Sequence, residues 1–461
     1  MTQARCRVYS ETSRHLRRAF SVLLAMVLLL PLSLLHAKGE TEAPPPDSEV
    51  GNVLLINLEN NLTLYEKSSD TTIYPSSSVK IMAGLLACRA LEDRLTEEVT
   101  VTAAMLSGVE GRRMNPPLAD GEVLTVRDLL YAAVCGGYND ATQVVACLSS
   151  GSVASFVEDM NREARRLGTI HTRYTNPTGL HDPAMATSAR DVSMIAREAY
   201  ENQLFMELSS ARTHTVPATN IAESRSFTNR NALISDSSQN YFNGYCVGMN
   251  AGMTDEGGWC VVTVCERGGA SNLCVVMGGE DVATGELIPA YVYVNRLLAW
   301  ANRAYTYRTV LTADDVLDTR KVSMTGVSKS KAHIVPVGDL LAYLPADTNP
   351  EEELTYTTVL LDGGLTAPIT AGDVVGTVTV TYRGRVVGKA DLTVTESFAQ
   401  NGFMAGLMGF RRYLTSRPFL ISVTLFAIML LVYLRMTTGP GGRYSIRSVK
   451  RRRVRYIRRR Y

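Results

Sequence analysis

Histidine is scarce in this sequence, and its few histidines are scattered. The 461 residues include six histidines, of which His15 and His36 lie near the N-terminus. A Ser-His-Asp triad needs a histidine within hydrogen-bond reach of its serine. The sequence places no histidine beside its best candidate nucleophile, Ser77. It therefore argues against triad chemistry, and we expect the histidines to be surface or capping residues.

The cysteines lack the spacing that metal sites use. Eight are present, without a CxxC pair or a cluster with histidine, which argues against zinc. Cys6 belongs to an apparent leader, so an odd seven remain. Export would permit disulfides, but most of these cysteines lie in apolar runs, which is typical of buried thiols. We expect neither a metal nor any other cofactor.

The middle of the chain carries no excess of positive charge. The net charge is only +2, yet residues 442–461 carry ten Arg or Lys and no acid, and residues 1–18 carry five Arg and one Glu. The basic charge thus lies at the two ends, beside the two most apolar segments, which favours a membrane topology. A nucleic-acid-binding protein is expected to carry that charge on its folded domain, so we expect no nucleic-acid partner.

The N-terminal apolar run resembles a secretory leader. Three arginines at 14, 17 and 18 precede the run 19–35, and Leu-His-Ala at 35–37 is a small-residue cleavage site. An uncleaved N-terminal anchor is the alternative. Either interpretation implies export.

A second apolar run covers residues 418–434, between Arg417 and Arg435. Its length reaches the short end of the membrane-spanning range. A buried core helix is the alternative, but the run has no periodic polar face. Because positive residues stay on the cytoplasmic side, we expect the tail inside, in contact with anionic lipid headgroups. The chain between the two apolar runs is then outside the cell membrane.

The order of the predicted elements indicates an α+β domain. Strands at 52–58 and 62–66 precede a helical body, and strands between 257 and 278 then rejoin the first sheet. Helices are predicted after Pro75, over 124–149 with a break near Gly136, and over 290–301. Short β-branched runs beyond Tyr305 predict a small all-β domain. The expected segments are a signal peptide (1–37), a linker (38–47), the α+β domain (48–302), the β domain (305–396), an amphipathic membrane approach (400–416), a transmembrane helix (418–434) and a basic cytoplasmic tail (435–461).

Ser77-Ser78-Val79-Lys80 is an S-x-x-K motif at the start of a predicted helix. Positions three apart share one face of a helix, so the Lys80 amine can reach the Ser77 hydroxyl. A serine is a weak nucleophile and needs such a base. The helix N-terminus also favours negative charge that develops there. The tetrapeptide alone is a weak signal, and its position after two strands and a proline strengthens it.

The segment from Val53 to Ala87 resembles the opening of the D-alanyl-D-alanine carboxypeptidases, which are low-molecular-weight penicillin-binding proteins. Further similar segments follow in the family's order: VRDLLYAA (126–133), NDATQVVA (139–146), NPTGLHDP (176–183), TSARDVSMIAREA (187–199) and GMTDEGGWC (252–260). The resemblance covers about residues 48–395. It implies a β-lactamase/DD-peptidase-like fold that acts on the D-Ala-D-Ala end of peptidoglycan stem peptides and binds β-lactams.

The resemblance also implies roles for individual residues. Ser77 corresponds to the acylated nucleophile, Lys80 to its general base and Asn139 to the Asn of the family's S-x-N motif. The K-T-G motif falls at residues 250–252, so Asn250 and Gly252 lie in the substrate site. The backbone N–H groups of Ser77 and Met253 correspond to the oxyanion hole.

Three positions depart from the family pattern. Gly137 stands at the Ser of S-x-N, Asn250 at the Lys of K-T-G, and Ala251 at its Thr. These changes remove one charge and two hydroxyls, and lost transition-state stabilisation of this kind lowers rates by about 10²–10³. Tyr138, one position out of register, is a candidate to replace the missing serine hydroxyl.

Two interpretations of function remain open, and a third is disfavoured. The first is a weakly active carboxypeptidase, and the second is a non-catalytic peptidoglycan-binding pseudoenzyme or cell-wall scaffold. The intact Ser77 and Lys80 pair favours the first, while the altered motifs favour the second. A β-lactamase is disfavoured because no glutamate deacylation motif is evident.

Overall fold

The computed structural model describes residues 45–46, 50–235, 240–281, 287–325, 330–361 and 364–438. The expected signal peptide, most of the linker and most of the basic tail lie outside these residues. The strands, in chain order, are β1 (Asn52–Asn57), β2 (Thr63–Lys67), β3 (Glu98–Thr100), β4 (Val123–Thr125), β5 (Thr213–Val216), β6 (Arg225–Thr228), β7 (Cys246–Thr254), β8 (Gly258–Arg267), β9 (Ala270–Gly279), β10 (Tyr305–Leu311), β11 (Asp318–Lys321), β12 (Lys331–Pro336), β13 (Leu340–Pro345), β14 (Leu354–Leu360), β15 (Val374–Tyr382) and β16 (Arg385–Val394).

The helices lie between and after these strands. A 3-10 turn, Ser76–Ser78, leads directly into the first of them. The α-helices are α1 (Val79–Leu91), α2 (Val126–Val134), α3 (Asn139–Ser150), α4 (Val153–Arg166), α5 (Ala189–Tyr200), α6 (Gln203–Ser210), α7 (Ala232–Ser235), α8 (Pro289–Ala304), α9 (Pro350–Glu353), α10 (Gly402–Leu414) and α11 (Arg417–Thr438).

A five-stranded antiparallel sheet carries the first domain, in the order β2-β1-β9-β8-β7. The first strand pairs with β9, so that Leu54 lies opposite Val275. The strands that close the domain therefore rejoin the strands that open it, as the sequence predicts. The α+β class is confirmed.

Helices cover both faces of this sheet. Val262, Leu273 and Val275 join one apolar core with α1 and the other helices of the body. The predicted closing helix is α8, which packs on β8 and β9. Alternating side chains of β8 thus pack on both faces of the sheet, which explains why seven consecutive residues of this strand are buried.

The predicted helical stretch 124–149 is two helices, and its break positions the site. The first begins at Thr125, whose side chain accepts a hydrogen bond from the Asp128 N–H, and ends at Val134. The second begins at Asn139. The connecting turn contains Gly137, whose φ of +65° lies in the left-handed region that favours glycine.

The cysteines of the described region are free thiols. Six of the seven are buried and Cys147 is half-buried, which confirms the preference for buried thiols. Burial raises the pKa of Cys260 to about 12, so that thiol is unreactive at neutral pH.

Strands dominate the chain beyond α8. The structure forms a second five-stranded sheet in the order β11-β12-β16-β15-β14 and a two-stranded sheet of β10 and β13. Between Tyr305 and Val394, α9 is the one described α-helix, and it has four residues. The predicted all-β character of this region is confirmed. The described residues form two compact units. The first lies within residues 1–312, 339–357 and 379–389, and the second lies within residues 313–338, 358–378 and 390–461.

The second unit ends in two helices. Helix α10 occupies the expected amphipathic approach, and its Phe403, Leu407 and Phe410 are exposed. In α11, the span Arg417–Met436 has a mean hydropathy of 2.2 and no buried share. Within the described residues it is the one helix long and apolar enough to cross a membrane.

Candidate active site

One cavity of about 330 Å³ collects all six site residues expected from the sequence. Ser77, Lys80 and Asn139 come from the helical side, while Asn250, Gly252 and Met253 come from β7. The altered motif positions Gly137 and Ala251 also line it. The wall further contains groups that the sequence does not assign to the site: Gly111, Arg112, Thr178, Gly179, Leu180, His181, Arg230, Thr254, Asp255 and Glu256.

Ser77 lies in the 3-10 turn ahead of α1, on a sharply bent backbone. The preceding Ser76 has a φ of +49°, and its hydroxyl donates to the Gly258 carbonyl at 3.1 Å. Such conformations are costly for a residue other than glycine and persist where the surroundings enforce them. Ser77 Oγ is buried and has no hydrogen-bond partner among the described residues.

Gly252 of β7 lies directly against this serine. A β-carbon added at Gly252 would stand 2.9 Å from Ser77 Cβ and 3.1 Å from Ser77 Oγ. Only glycine lets the strand approach the hydroxyl this closely. The contact explains why β7 brings its backbone, rather than a side chain, up to Ser77 at this point.

Lys80 follows Ser77 by three residues and points into the same cavity. Its Nζ donates a hydrogen bond to the Thr178 carbonyl. Burial, and secondly the nearby cations Arg230 and Arg112, lower the pKa of Lys80 to about 7. A substantial fraction of the amine is therefore neutral at physiological pH and able to accept a proton.

The loop that receives Lys80 is held by Asn176. Its Oδ1 accepts hydrogen bonds from the N–H groups of Thr178 at 3.1 Å and Gly179 at 2.9 Å. Gly179 has a φ of +77°, and an added β-carbon would lie 2.2 Å from the Ser76 carbonyl oxygen. The loop thus packs against the backbone of the serine turn.

Asn139 is the first residue of α3 and ties a neighbouring loop to the site. Its backbone N–H donates to the Arg112 carbonyl at 2.7 Å, and its Nδ2 donates to the Glu110 carbonyl at 2.8 Å. Its Oδ1 is buried without a partner among the described residues, as is Asn250 Oδ1 on β7. Two amide oxygens and the Ser77 hydroxyl, all from residues that line one cavity, therefore have unused hydrogen-bonding capacity.

Comparison with known protein families identifies the family of this chain. A family model described as D-alanyl-D-alanine carboxypeptidase matches residues 39–281, and a model of the penicillin-binding protein 5 C-terminal domain matches residues 305–400. The chain belongs to the D-alanyl-D-alanine carboxypeptidase family. The family recognised in the sequence is thereby confirmed.

Relatives within this family span most of the chain. D-alanyl-D-alanine carboxypeptidase DacF of Bacillus subtilis is 24% identical over 398 residues, which is 85% of this chain and 97% of that protein. DacC of Escherichia coli is 26% identical over 400 residues, or 84% and 93% of the two chains. The crystal structure of penicillin binding protein 5 from Haemophilus influenzae superposes with a TM-score of 0.57 at 24% identity, covering 78% of this chain and 100% of that one. The last similarity shows the fold.

Two arginines bring positive charge to the cavity, in which Asn250 stands at the lysine position of K-T-G. Arg230 and Arg112 both line the cavity, and neither is ion-paired with a carboxylate of the described residues. Arg230 lies 5.5 Å from the centroid of the Trp259 ring, and burial followed by the charge of Arg112 lowers its pKa. Sequence reasoning missed both residues because no motif spacing links them to Ser77.

Tyr138 does not take the place of the missing serine. Its ring packs edge-on against Phe227, with centroids 5.3 Å apart, and it is not among the described residues that line the cavity. The phenol therefore serves packing, and the suggested rescue by Tyr138 is wrong.

The wall of the cavity also contains His181 and the acids Asp255 and Glu256. His181 Nδ1 lies 3.8 Å from Glu256 Oε2, and its ring meets that of Tyr74 edge-on. Within the described part of the chain, no group of three or more His, Cys, Asp or Glu has the arrangement of a metal site.

Proposed function

We propose that this protein is a serine-type D-Ala-D-Ala carboxypeptidase that acts on peptidoglycan stem peptides through an acyl-enzyme at Ser77. The observation that carries the proposal is the cavity with three unpartnered polar atoms. Ser77 Oγ, Asn139 Oδ1 and Asn250 Oδ1 are buried without partners among the described residues, beside an amine whose pKa is lowered to about 7. Unsatisfied buried polar groups are costly unless a ligand satisfies them.

The chemistry proceeds in two steps. Ser77 Oγ attacks the carbonyl carbon of the penultimate D-alanine while its proton passes to neutral Lys80 Nζ. The C–N bond to the terminal D-alanine breaks, and the proton moves from Lys80 to the departing amine. Water then attacks the ester, gives its proton to Lys80 and releases the shortened peptide, and Ser77 recovers a proton from Lys80.

The oxyanion of each step needs preorganised donors. The backbone N–H groups of Ser77 and Met253 fill this role in the proposal, because Gly252 brings β7 within contact of Ser77. Asn139 and Asn250 orient the peptide through their free amide oxygens, which accept hydrogen bonds from substrate N–H groups.

Arg230 supplies positive charge close to the reacting serine. Its Nε would be 3.7 Å from a β-carbon on Gly252, whereas Ser77 Oγ would be 3.1 Å away. The guanidinium and the serine therefore flank the same point of β7. A buried cation without a paired acid suits a substrate that ends in a free carboxylate.

Turnover is expected to be slow. Gly137 and Ala251 have no hydroxyl to relay a proton or bind the substrate, and each such loss lowers a rate by about 10²–10³ when it removes transition-state stabilisation. These positions favour the second candidate, a pseudoenzyme that binds peptidoglycan stem peptides without cleaving them.

The proposed location is the outer face of the cell membrane. Helix α11 serves as a single membrane span, with the tail from residue 435 in the cytoplasm. The exposed apolar side chains of α10 then lie at the lipid surface. Membrane lipid is thus a proposed partner, besides stem peptides and β-lactams.

Release of D-alanine distinguishes the two candidates. A peptide that ends in D-Ala-D-Ala is incubated with the protein and with Ser77→Ala, and free D-alanine is measured over hours. We expect slow release by the native protein, none by Ser77→Ala and none from the peptide that ends in L-Ala-L-Ala. Equal rates for the native protein and Ser77→Ala would contradict the enzyme and leave the binding protein.

A further inference from the structure

We propose that Arg112 is a substrate-binding residue that, together with Arg230, supplies the positive charge for the peptide's terminal carboxylate that Asn250 lacks. The charge of Arg112 would come from the loop ahead of β4, whereas the family's K-T-G motif places its charge on the strand that corresponds to β7. The inference rests on the proposed function, because it assigns a substrate contact within the same cavity.

The side chain of Arg112 lies over the turn between α2 and α3. Its Nε donates to the Gly136 carbonyl at 3.1 Å, and its guanidinium carbon lies 4.7 Å from the Tyr138 ring centroid. These contacts place the guanidinium beside Gly137, the position of the missing motif serine. Tyr138 therefore acts as a platform for the guanidinium through a cation–π contact.

Because Gly137 has no side chain, the space next to its α-carbon is open. A β-carbon added there would meet only Arg230 atoms, at 3.6 Å. The chain thus lacks a side chain at Gly137, while Arg112 brings a charged group with several N–H donors to the neighbouring Gly136 carbonyl.

The backbone of Arg112 is fixed by the site itself. Its carbonyl accepts from the Asn139 N–H at 2.7 Å, and the Glu110 carbonyl accepts from Asn139 Nδ2 at 2.8 Å. Between them, an added β-carbon on Gly111 would lie 2.9 Å from Asn139 Nδ2. Arg112 is therefore anchored to a residue of the cavity floor, and little ordering remains to be done when a substrate binds.

Arg112 lines the same cavity as Lys80 and Arg230. Its charge contributes to the lowered pKa of both Lys80 and Arg230. Three basic groups converge on one cavity, and their mutual repulsion is relieved by an anionic ligand. A peptide carboxylate is such an anion, and an arginine fork binds it through paired N–H···O contacts.

Peptide binding to a protein that cannot react tests the contact directly. Ser77→Ala and Ser77→Ala/Arg112→Ala are titrated by calorimetry with a peptide that ends in D-Ala-D-Ala and with the same peptide as its C-terminal amide. We expect loss of Arg112 to weaken binding of the acid by about tenfold or more, as for a charge-assisted contact, and to leave the amide unchanged. Arg113→Ala is the matched control, because Arg113 is exposed like Arg112 but does not line the cavity.

A rescue experiment asks whether Arg112 takes the place of the strand lysine. Asn250→Lys is combined with Arg112→Ala, and the affinity for the acid peptide is compared with that of each single variant. If the two cations perform one task, Asn250→Lys restores most of the affinity lost in Arg112→Ala, and its effect in the native background is smaller.

The outcomes separate this proposal from the proposed function. An affinity for the acid that is unchanged in Arg112→Ala, or an equal loss for acid and amide, overturns the role of Arg112, whether or not the protein turns over. Failure to release D-alanine in the presence of normal, Arg112-dependent acid binding overturns the enzyme but supports Arg112. Circular dichroism confirms that each variant is folded.

Discussion

At the scale of single residues, buried polar atoms without hydrogen-bond partners mark the site. Six buried side-chain atoms of the described residues have no partner, and three of them are Ser77 Oγ, Asn139 Oδ1 and Asn250 Oδ1. An unsatisfied buried polar atom costs about 1–3 kcal/mol. Three in one cavity indicate that the protein retains them for a ligand.

The lowered pKa of Lys80 predicts a rising pH profile for acylation. Lys80 accepts a proton only when neutral, and burial, with the charges of Arg230 and Arg112, lowers its pKa to about 7. The acylation rate by a penicillin is therefore expected to rise between pH 5.5 and 8.5, with its midpoint near pH 7. Stopped-flow or gel-based labelling at each pH measures this rate. A flat or falling profile would show that Lys80 is not the base.

The backbone at Gly137 predicts that restoring the motif serine carries a penalty. With φ at +65°, any side chain here is strained, by about 1–2 kcal/mol. We expect Gly137→Ser and Gly137→Ala to lower the free energy of unfolding by similar amounts, as measured in urea. The two variants differ only in the serine hydroxyl, so a difference between their acylation rates reports the effect of that hydroxyl. We expect acylation to be faster in Gly137→Ser than in Gly137→Ala. Equal acylation rates would mean that a hydroxyl at this position does not reach the reacting atoms.

At the scale of elements, local patterns predicted most of the fold. Sequence patterns identified α1 and α8, and the glycines at 136 and 137 identified the break between α2 and α3. The strand pairs β3–β4 and β5–β6 were missed, because strands of three or four residues carry too little periodicity. The eight-residue helix α6 was also missed. The fold class followed from the order of strands and helices.

Apart from the residues that the family resemblance implies, the site was predictable only where sequence spacing sets it. Ser77 and Lys80 share a helical face, so their neighbourhood follows from the S-x-x-K spacing. Arg112 and Arg230 are far apart in sequence and meet Lys80 only through the packing of loops. No local pattern encodes that meeting, and the sequence alone therefore suggested a cavity without its cations.

The loop around Gly179 offers a test of how elements position the serine. Gly179→Ala would press a β-carbon against the Ser76 carbonyl, 2.2 Å away, whereas Gly151 has nearly the same φ, +78°, and nothing within 4 Å of an added β-carbon. Both variants carry the left-handed strain, but only Gly179→Ala should displace the serine turn. We expect acylation to fall by about tenfold or more in Gly179→Ala and to stay near native in Gly151→Ala. Parallel losses in both would assign the effect to strain alone.

At the scale of the whole molecule, the apolar helix α11 and the basic tail predict one membrane span. A tag placed after Tyr461 in intact cells or spheroplasts should resist external protease, while the region 48–395 should be cleaved. A tag after residue 396 is the matched control and should be accessible. Digestion of the C-terminal tag from outside would contradict the proposed orientation.

The account as a whole depends on a nucleophile at Ser77, and trapping the acyl-enzyme tests this most directly. The exported region is incubated with benzylpenicillin for minutes to hours, its intact mass is measured, and the adduct is mapped by peptide mass spectrometry. The account predicts one slowly formed penicilloyl adduct on the peptide that contains Ser77, and none in Ser77→Ala. A folded native protein without an adduct, or with one at another residue, would contradict it.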